Sequence, residues 1–357
     1  MKTSEEAICN DPLKCAFSFT KLLPNITAID KEWDASTNVW NLKLSGTEFS
    51  GNASTSMLSV GGIEQPVVTV LPSTALFKVT NSPSSKLTGI RLYLDIGIPE
   101  GDRSLLDQGV TLTPKFVGIS SNQGSPGGSV IVLNVQGVGS ADKVSDITFT
   151  DAEGADKSLC ENHSTISYGK IQCRTNPVTI PADSEIKILV DSSAPAEVCA
   201  NTDTAQCKFE QTNSSMPVIT NATIASASTI QITGTDFFES GYQTTVEFGG
   251  VVADNVTVSK TSIVAKWTKG VPVVANATAP IVSFEKLNTT DLMSVTHFAS
   301  GKINIANALE ITAATTDMTC SFNGGCPFEV SAKGLSTLMR GDPENNFITI
   351  CDRKCIF

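Results

Sequence analysis

The chain's ten cysteines are the residues best placed to do chemistry. They fall in close pairs: Cys9 with Cys15, Cys160 with Cys173, Cys199 with Cys207, Cys320 with Cys326, and Cys351 with Cys355. An even count in such pairs predicts disulfides. Structural zinc would ask for CxxC spacing or converging histidines, and the sequence contains no CxxC. A second set of reactive side chains lies in eight Asn-x-Ser/Thr sequons, at Asn25, Asn52, Asn162, Asn213, Asn221, Asn255, Asn276 and Asn288. Disulfides and sequons together point to an oxidising compartment and to N-linked glycans on a secreted or cell-surface protein.

Other chemistry is sparse. The two histidines, His163 and His297, lie far apart, without a GxSxG elbow, an HExxH pair or a phosphate-binding glycine loop. Both are expected to be exposed, with His163 on a loop inside the Asn162 sequon. The acidic stretch from Asp146 through Asp151 and Glu153 to Asp156 offers oxygen ligands for calcium, yet its spacing matches no standard loop and reads as a solvated turn. Arg340-Gly341-Asp342 spells an adhesive tripeptide within a Gly/Pro/Asn-rich loop. We expect no catalytic residue, no cofactor and no metal site.

These residues need a scaffold, and composition narrows it. In 357 residues, 17% are charged, 6% aromatic and 40% hydrophobic, with a net charge of −11. An acidic chain has no surplus of Lys and Arg for phosphate neutralisation, so nucleic acid is not an expected partner. No apolar run reaches the 18 or so residues of a membrane span. Met1 to Glu6 is polar and acidic and lacks the apolar core of a signal peptide, so the chain reads as a mature or internal segment.

Internal repetition supplies the architecture. Openings PNITAI, PKFVGI and PVITNATI begin at Pro24, Pro114 and Pro217. Each is followed by an alternating strand that runs into glycine: NLKLSGTEFSG at 41–51, VIVLNVQGVG at 130–139 and TIQITGTDFFESG at 229–241. Then come MLSVGG, ITFTDAEG and VEFGG, next TALFKVTN, TISYGKIQCRTN and TSIVAKWTKG, and finally IRLYLDIG, EIKILVDSS and PIVSFEKL. Period-two alternation broken by Gly and Asn/Asp/Ser clusters predicts all-β structure: tandem immunoglobulin-like β-sandwiches. Leu42, Leu44, Val132, Leu133, Ile230, Ile232, Phe248 and Trp267 are the expected core. Trp40 should also be buried, with Trp33 half-exposed.

The predicted boundaries are an N-terminal cysteine-clip segment at 1–21, sandwiches at 22–111, 112–215 and 216–307, and a partial fourth domain at 308–357, opening on LEIT near Leu309 and including a strand at Phe347–Ile350. The pattern Ile8-Cys9 … Cys15-Ala16-Phe17 is repeated at Val198-Cys199 … Cys207-Lys208-Phe209 and at Ile350-Cys351 … Cys355-Ile356-Phe357. It reads as a recurring junction clip.

The PxIT openings, the (Ile/Leu)-x-(Ile/Leu)-x-Gly-Thr-x-Phe strands at 42–49 and 230–237, and the V-x-Phe-Gly-Gly turn at 246–250 resemble the TIG/IPT family of immunoglobulin-like domains. GSPGG at 124–128 and IxCxT at 171–175 are similar to the extracellular arrays of fibrocystin-like proteins. The resemblance implies TIG-like sandwiches acting as spacers or adhesion modules. The functional expectation is a non-enzymatic structural glycoprotein, a subunit or repeat segment of a surface filament. Its partners would be copies of itself or adjoining repeats, joined head to tail. Alternatives are the ectodomain of a TIG-repeat receptor or adhesion protein, and an accessory array of a secreted carbohydrate-active protein.

Overall fold

The computed structural model describes residues 25–49, 54, 56–93, 103–106, 109–150, 154–190, 199–274, 276–287, 295–307, 310–315, 329–333, 349–350 and 353–354. Cys9, Cys15, Cys320, Cys326, Cys351, Cys355, Asn52, Asn288, the 1–21 segment, Asp151–Glu153, Arg340–Asp342 and Phe347–Ile348 lie outside the described residues. Among those described, regular structure is strand throughout, apart from one 3₁₀ turn at Thr204–Cys207. The fold is all-β and immunoglobulin-like, as the alternation predicts. The chain divides into two compact units.

The first unit comprises Met1–Asp34, Val39–Ser82 and Lys86–Leu112. One of its sheets has the order Asn25–Asp34, Val39–Thr47, Thr74–Lys78, Val67–Leu71. The other has the order Ile63–Gln65, Met57–Val60, Ile90–Tyr93, Arg103–Leu106. Leu42, Leu44 and Phe77 from one sheet and Leu58, Ile90 and Leu92 from the other are completely buried. Trp40 is buried and Trp33 half-buried, their rings meeting edge-on at 5.4 Å.

The Gly-Thr-x-Phe motif has a steric cause. A Cβ on Gly46 would lie 2.0 Å from the Asn25 carbonyl oxygen and 2.7 Å from the Phe49 ring. A Cβ on Gly234 would meet the Val218 carbonyl oxygen at 2.0 Å and the Phe237 ring at 2.5 Å. In both copies the neighbouring edge strand carries a register shift, between Ile26 and Ala28 and between Ile219 and Asn221. The residue between Thr and Phe is left-handed, at φ 60° for Glu48 and 56° for Asp236. The motif therefore folds its own phenylalanine beneath a bulged edge strand, and only glycine leaves room.

The second unit comprises Ala35–Asn38, Pro83–Ser85 and Thr113–Phe357. Phe116, Ile131, Leu133, Val135, Ile147, Ile171, Ile188 and Phe209 belong to one hydrophobic cluster. Ile230, Ile232, Val246, Phe248, Ile263, Trp267 and Phe284 belong to another. All eight residues expected in the core are buried, although Val132 lies outside the cluster that holds its neighbours Ile131 and Leu133. Successive strand residues point to opposite faces, so this strand is covered on both sides.

The stretch TISYGKIQCRTN, read as one strand, forms two. Cys160–Ser167 and Lys170–Thr175 pair as a hairpin around Tyr168 and Gly169, with Gly169 at φ 73°. Further along, Glu310–Thr315 pairs with Glu329–Lys333, and Thr349–Ile350 with Arg353–Lys354.

Candidate functional site

The arrangement with the most structure built into it lies within the second unit, where the two clusters meet through a shared sheet. Its strand order is Cys160–Ser167, Lys170–Thr175, Ser129–Gln136, Thr296–Phe298, Ile281–Lys286, Tyr242–Phe248, Val251–Val252. The crossing point is the antiparallel pairing of Ser129 with His297 and of Val130 with Thr296. Backbone hydrogen bonding thus runs without a break from the residue-116-to-209 cluster into the residue-219-to-284 cluster.

GSPGG makes this crossing possible. Gly128 N–H donates to the Ser125 carbonyl at 2.8 Å, closing a turn, and Phe298 N–H donates to the Gly128 carbonyl at 3.0 Å. A Cβ on Gly127 would stand 2.5 Å from the carbonyl oxygens of both Phe298 and Ala299. The glycine lets two backbones approach where any side chain would hold them apart.

A buried polar chain is packed behind the crossing. Ser129 Oγ and His297 Nδ1 share a hydrogen bond of 3.0 Å, and Ser129 Oγ accepts from Ser125 N–H at 3.0 Å. Ser129 N–H donates to Thr175 Oγ1 at 2.8 Å, and Thr175 Oγ1 donates to Gln211 Oε1 at 2.8 Å. Gln211 Nε2 donates to the carbonyls of Asn176 and Val178, both at 2.6 Å. Ser125, Ser129, Thr175, Gln211 and His297 are all buried. Such a chain stabilises only when each member is satisfied, as these are, and it then fixes one packing.

His297 also sits beside an aromatic group. Phe238 stacks on Tyr242 at 4.2 Å and meets Phe284 edge-on at 5.4 Å, with the imidazole 5.8 Å from Phe238. Burial, followed by the nearby Lys286 charge, pushes the His297 pKa down to about 4. Outside the seal, the Arg174 guanidinium lies 4.5 Å over the Phe298 ring, and Arg174 Nε is 3.2 Å from Glu161 Oε2.

The sequence reading placed both histidines wrongly. His297 is buried because a neutral imidazole can trade water for Ser129 and the rings of Phe238 and Tyr242. His163 is half-buried on the strand Cys160–Ser167, with Nε2 3.1 Å from the Val144 carbonyl oxygen. A serine hydroxyl beside an imidazole is the start of a nucleophile–base pair. Here both groups are buried, and the pair is one link of the polar chain behind the crossing.

Two disulfides join their expected partners. Cys160 and Cys173 link across the hairpin, and Cys199 and Cys207 close the 3₁₀ turn. Both pack within the residue-116-to-209 cluster. Cys199–Cys207 therefore staples a loop onto that core, and the junction itself is made by the sheet crossing. The described sequon asparagines, Asn25, Asn162, Asn213, Asn221, Asn255 and Asn276, are all exposed. In the acidic stretch, Asp156 is engaged by Lys187 Nζ at 2.8 and 3.0 Å and by Thr150 Oγ1, and Asp146 Oδ1 accepts from Ile147 N–H. Among the described residues no group of three or more His, Cys, Asp or Glu could hold a metal ion. A polar cleft of about 400 Å³, lined by Asn122, Gln123, Ala182, Lys208 and Glu210, has its Gln123 and Glu210 side chains bonded to each other.

No protein-family model and no curated protein matches the chain. Among solved structures it is similar to the Plexin A4 extracellular region, at 13% identity and a TM-score of 0.26, over 68% of this chain and 19% of that one. It is similar to the surface glycan-binding protein PbSGBP-B of Prevotella bryantii, at 15% identity and a TM-score of 0.25, over 50% and 42% of the two chains. It is also similar to the FN1–FN3 domains of chicken CNTN1, at 10% identity and a TM-score of 0.19, over 78% and 99%. The chain thus spans less than half the length of the first two structures. Among the described residues, no helix is long and apolar enough to cross a membrane.

Proposed function

We propose that the chain is a non-enzymatic, extracellular structural glycoprotein, a subunit or repeat segment of a surface filament joined head to tail through its TIG-like sandwiches. The observation that carries this reading is the unbroken sheet across the Ser129–His297 crossing. Modules on flexible linkers hinge by default. A shared sheet with a sealed polar chain removes that freedom, which suits a load-bearing spacer. The paired Cys160–Cys173 and Cys199–Cys207 suit an oxidising compartment. Exposed asparagines at the described sequons suit glycosylation, and the TIG-like motifs suit an array of the fibrocystin-like type.

Electron microscopy of native material tests the assembly: filaments with an axial repeat are expected, and a monodisperse single particle overturns it. Intact mass tests the chemistry. A glycoprotein exceeds the 37.6 kDa of the polypeptide, and an unmodified mass on secreted material overturns that part of the reading.

A further inference from the structure

The sequons are placed with respect to the sheets in a way their sequence does not announce. Strand edges carry unpaired N–H and C=O groups that recruit strands from other molecules. Among the described residues, three edge strands run to eight or more residues: Asn25–Asp34, Cys160–Ser167 and Val218–Ser226, the last bridged to Ser300 at its Val218 end. Each contains a sequon asparagine, at Asn25, Asn162 and Asn221 respectively.

The sheet ordered Val218–Ser226, Thr229–Thr235, Ser262–Lys266, Asn255–Ser259 goes further, with a sequon on both of its edges, at Asn221 and Asn255. Its inward residues Ala222, Ile230, Ile232, Ile263 and Ala265 are buried. Asn221 and Asn255 are exposed, alternating with core-facing neighbours, so both stand on the outer face. Asn221 pairs with Thr233, while Asn255 pairs with Lys266, which in turn pairs with Thr229. The two asparagines therefore occupy diagonal corners, offset by four residues, about 13 Å along the strands, and separated by three strand spacings, about 14 Å across.

We infer that N-glycans on Asn221 and Asn255 guard the two edges of this sheet against lateral strand pairing with other copies. The inference rests on the glycoprotein reading above. In the modification, Asn Nδ2 attacks the anomeric carbon of a lipid-diphosphate-linked oligosaccharide. The C–N bond forms as the C–O bond to diphosphate breaks, one amide proton is lost, and the lipid diphosphate leaves. A branched, hydrated glycan at each corner sweeps the space in which an incoming strand would align, while the Ser/Thr-rich outer face stays solvated. Assembly is then confined to surfaces the glycans leave clear.

The test uses the full chain made through a eukaryotic secretory pathway, together with Asn221→Gln, Asn255→Gln and the double variant. A parallel sample of the unaltered chain is trimmed with an endoglycosidase to one sugar per site. Peptide mass reads occupancy at the two asparagines, and light scattering with microscopy reads lateral association. We expect both sites to carry glycan, and the double variant and the trimmed chain to bundle at concentrations at least tenfold below the parent, with unchanged circular dichroism. Occupied sites with unchanged association on trimming overturn the edge-guard role alone. Two unoccupied asparagines in a chain glycosylated elsewhere overturn it while leaving the glycoprotein reading intact, and a chain without glycan overturns both.

Discussion

Ser129 Oγ and His297 Nδ1 share a 3.0 Å hydrogen bond across 168 positions of sequence, at the same point where their backbones pair. One contact therefore combines a strand register, a buried polar chain and the seam between two hydrophobic clusters. Disturbing any of the three should loosen the others.

Gly127→Ala tests the seam directly. The new methyl carbon would need the space 2.5 Å from two carbonyl oxygens. Strand Thr296–Phe298 must move away, at a cost of about 1–3 kcal/mol by the usual scale of overpacking. Hydrogen exchange should accelerate at the Phe298 amide and leave Ile263 protected.

Lowering pH should weaken the same seam. His297 has its pKa lowered from 6.5 to about 4 in the folded chain, so the unfolded chain binds the proton more readily. The stability tied to a neutral imidazole is fully present above pH 6.5 and is lost as pH falls toward 4, amounting to roughly 3 kcal/mol by linkage. Urea midpoints across that window should fall more steeply for the parent than for His297→Asn, whatever the absolute stability of the variant. Parallel slopes would contradict this account.

The two disulfides should differ modestly in their contribution. Cys160–Cys173 has a sequence separation of 13 and Cys199–Cys207 one of 8. Loop-closure entropy gives about 3 and about 2.5 kcal/mol respectively. Paired Cys→Ser substitutions followed by urea denaturation measure both, and non-reducing peptide maps should recover both links.

Gly234→Ala should damage folding more than its size implies. Its Cβ would collide with the Val218 carbonyl and the Phe237 ring, and the bulged strand offers no slack. We expect a loss comparable to Trp267→Ala, about 3–5 kcal/mol for a buried aromatic, with both read as shifts in thermal midpoint.

Much of the fold was legible because strand alternation is local. Leu42 and Leu44, or Ile230 and Ile232, announce a buried face within four residues. The Gly-Thr-x-Phe motif was visible as a pattern, although its cause, a bulged strand meeting a phenylalanine ring, lies in three dimensions. The turn at Tyr168–Gly169 was missed because tyrosine and lysine continue the alternation and only one glycine marks the reversal. The Ser129–His297 contact had no local signal, since each residue is unremarkable in its own stretch. GSPGG was the one hint, and its meaning depends on a strand that begins at Thr296. The sequons were countable from the start, but their position on edge strands emerges only from sheet order.

The shared sheet also bears on how such a chain can evolve. Arrays of beads usually grow by duplicating or exchanging one bead, because each carries its own complete surface. A recombination point between Gln211 and Val218 would strip Ser129 and Val130 of their pairing with His297 and Thr296 and would expose the imidazole of His297 to water. The inherited building block in this part of the chain is therefore the coupled pair, and lineages should gain or lose it two repeats at a time.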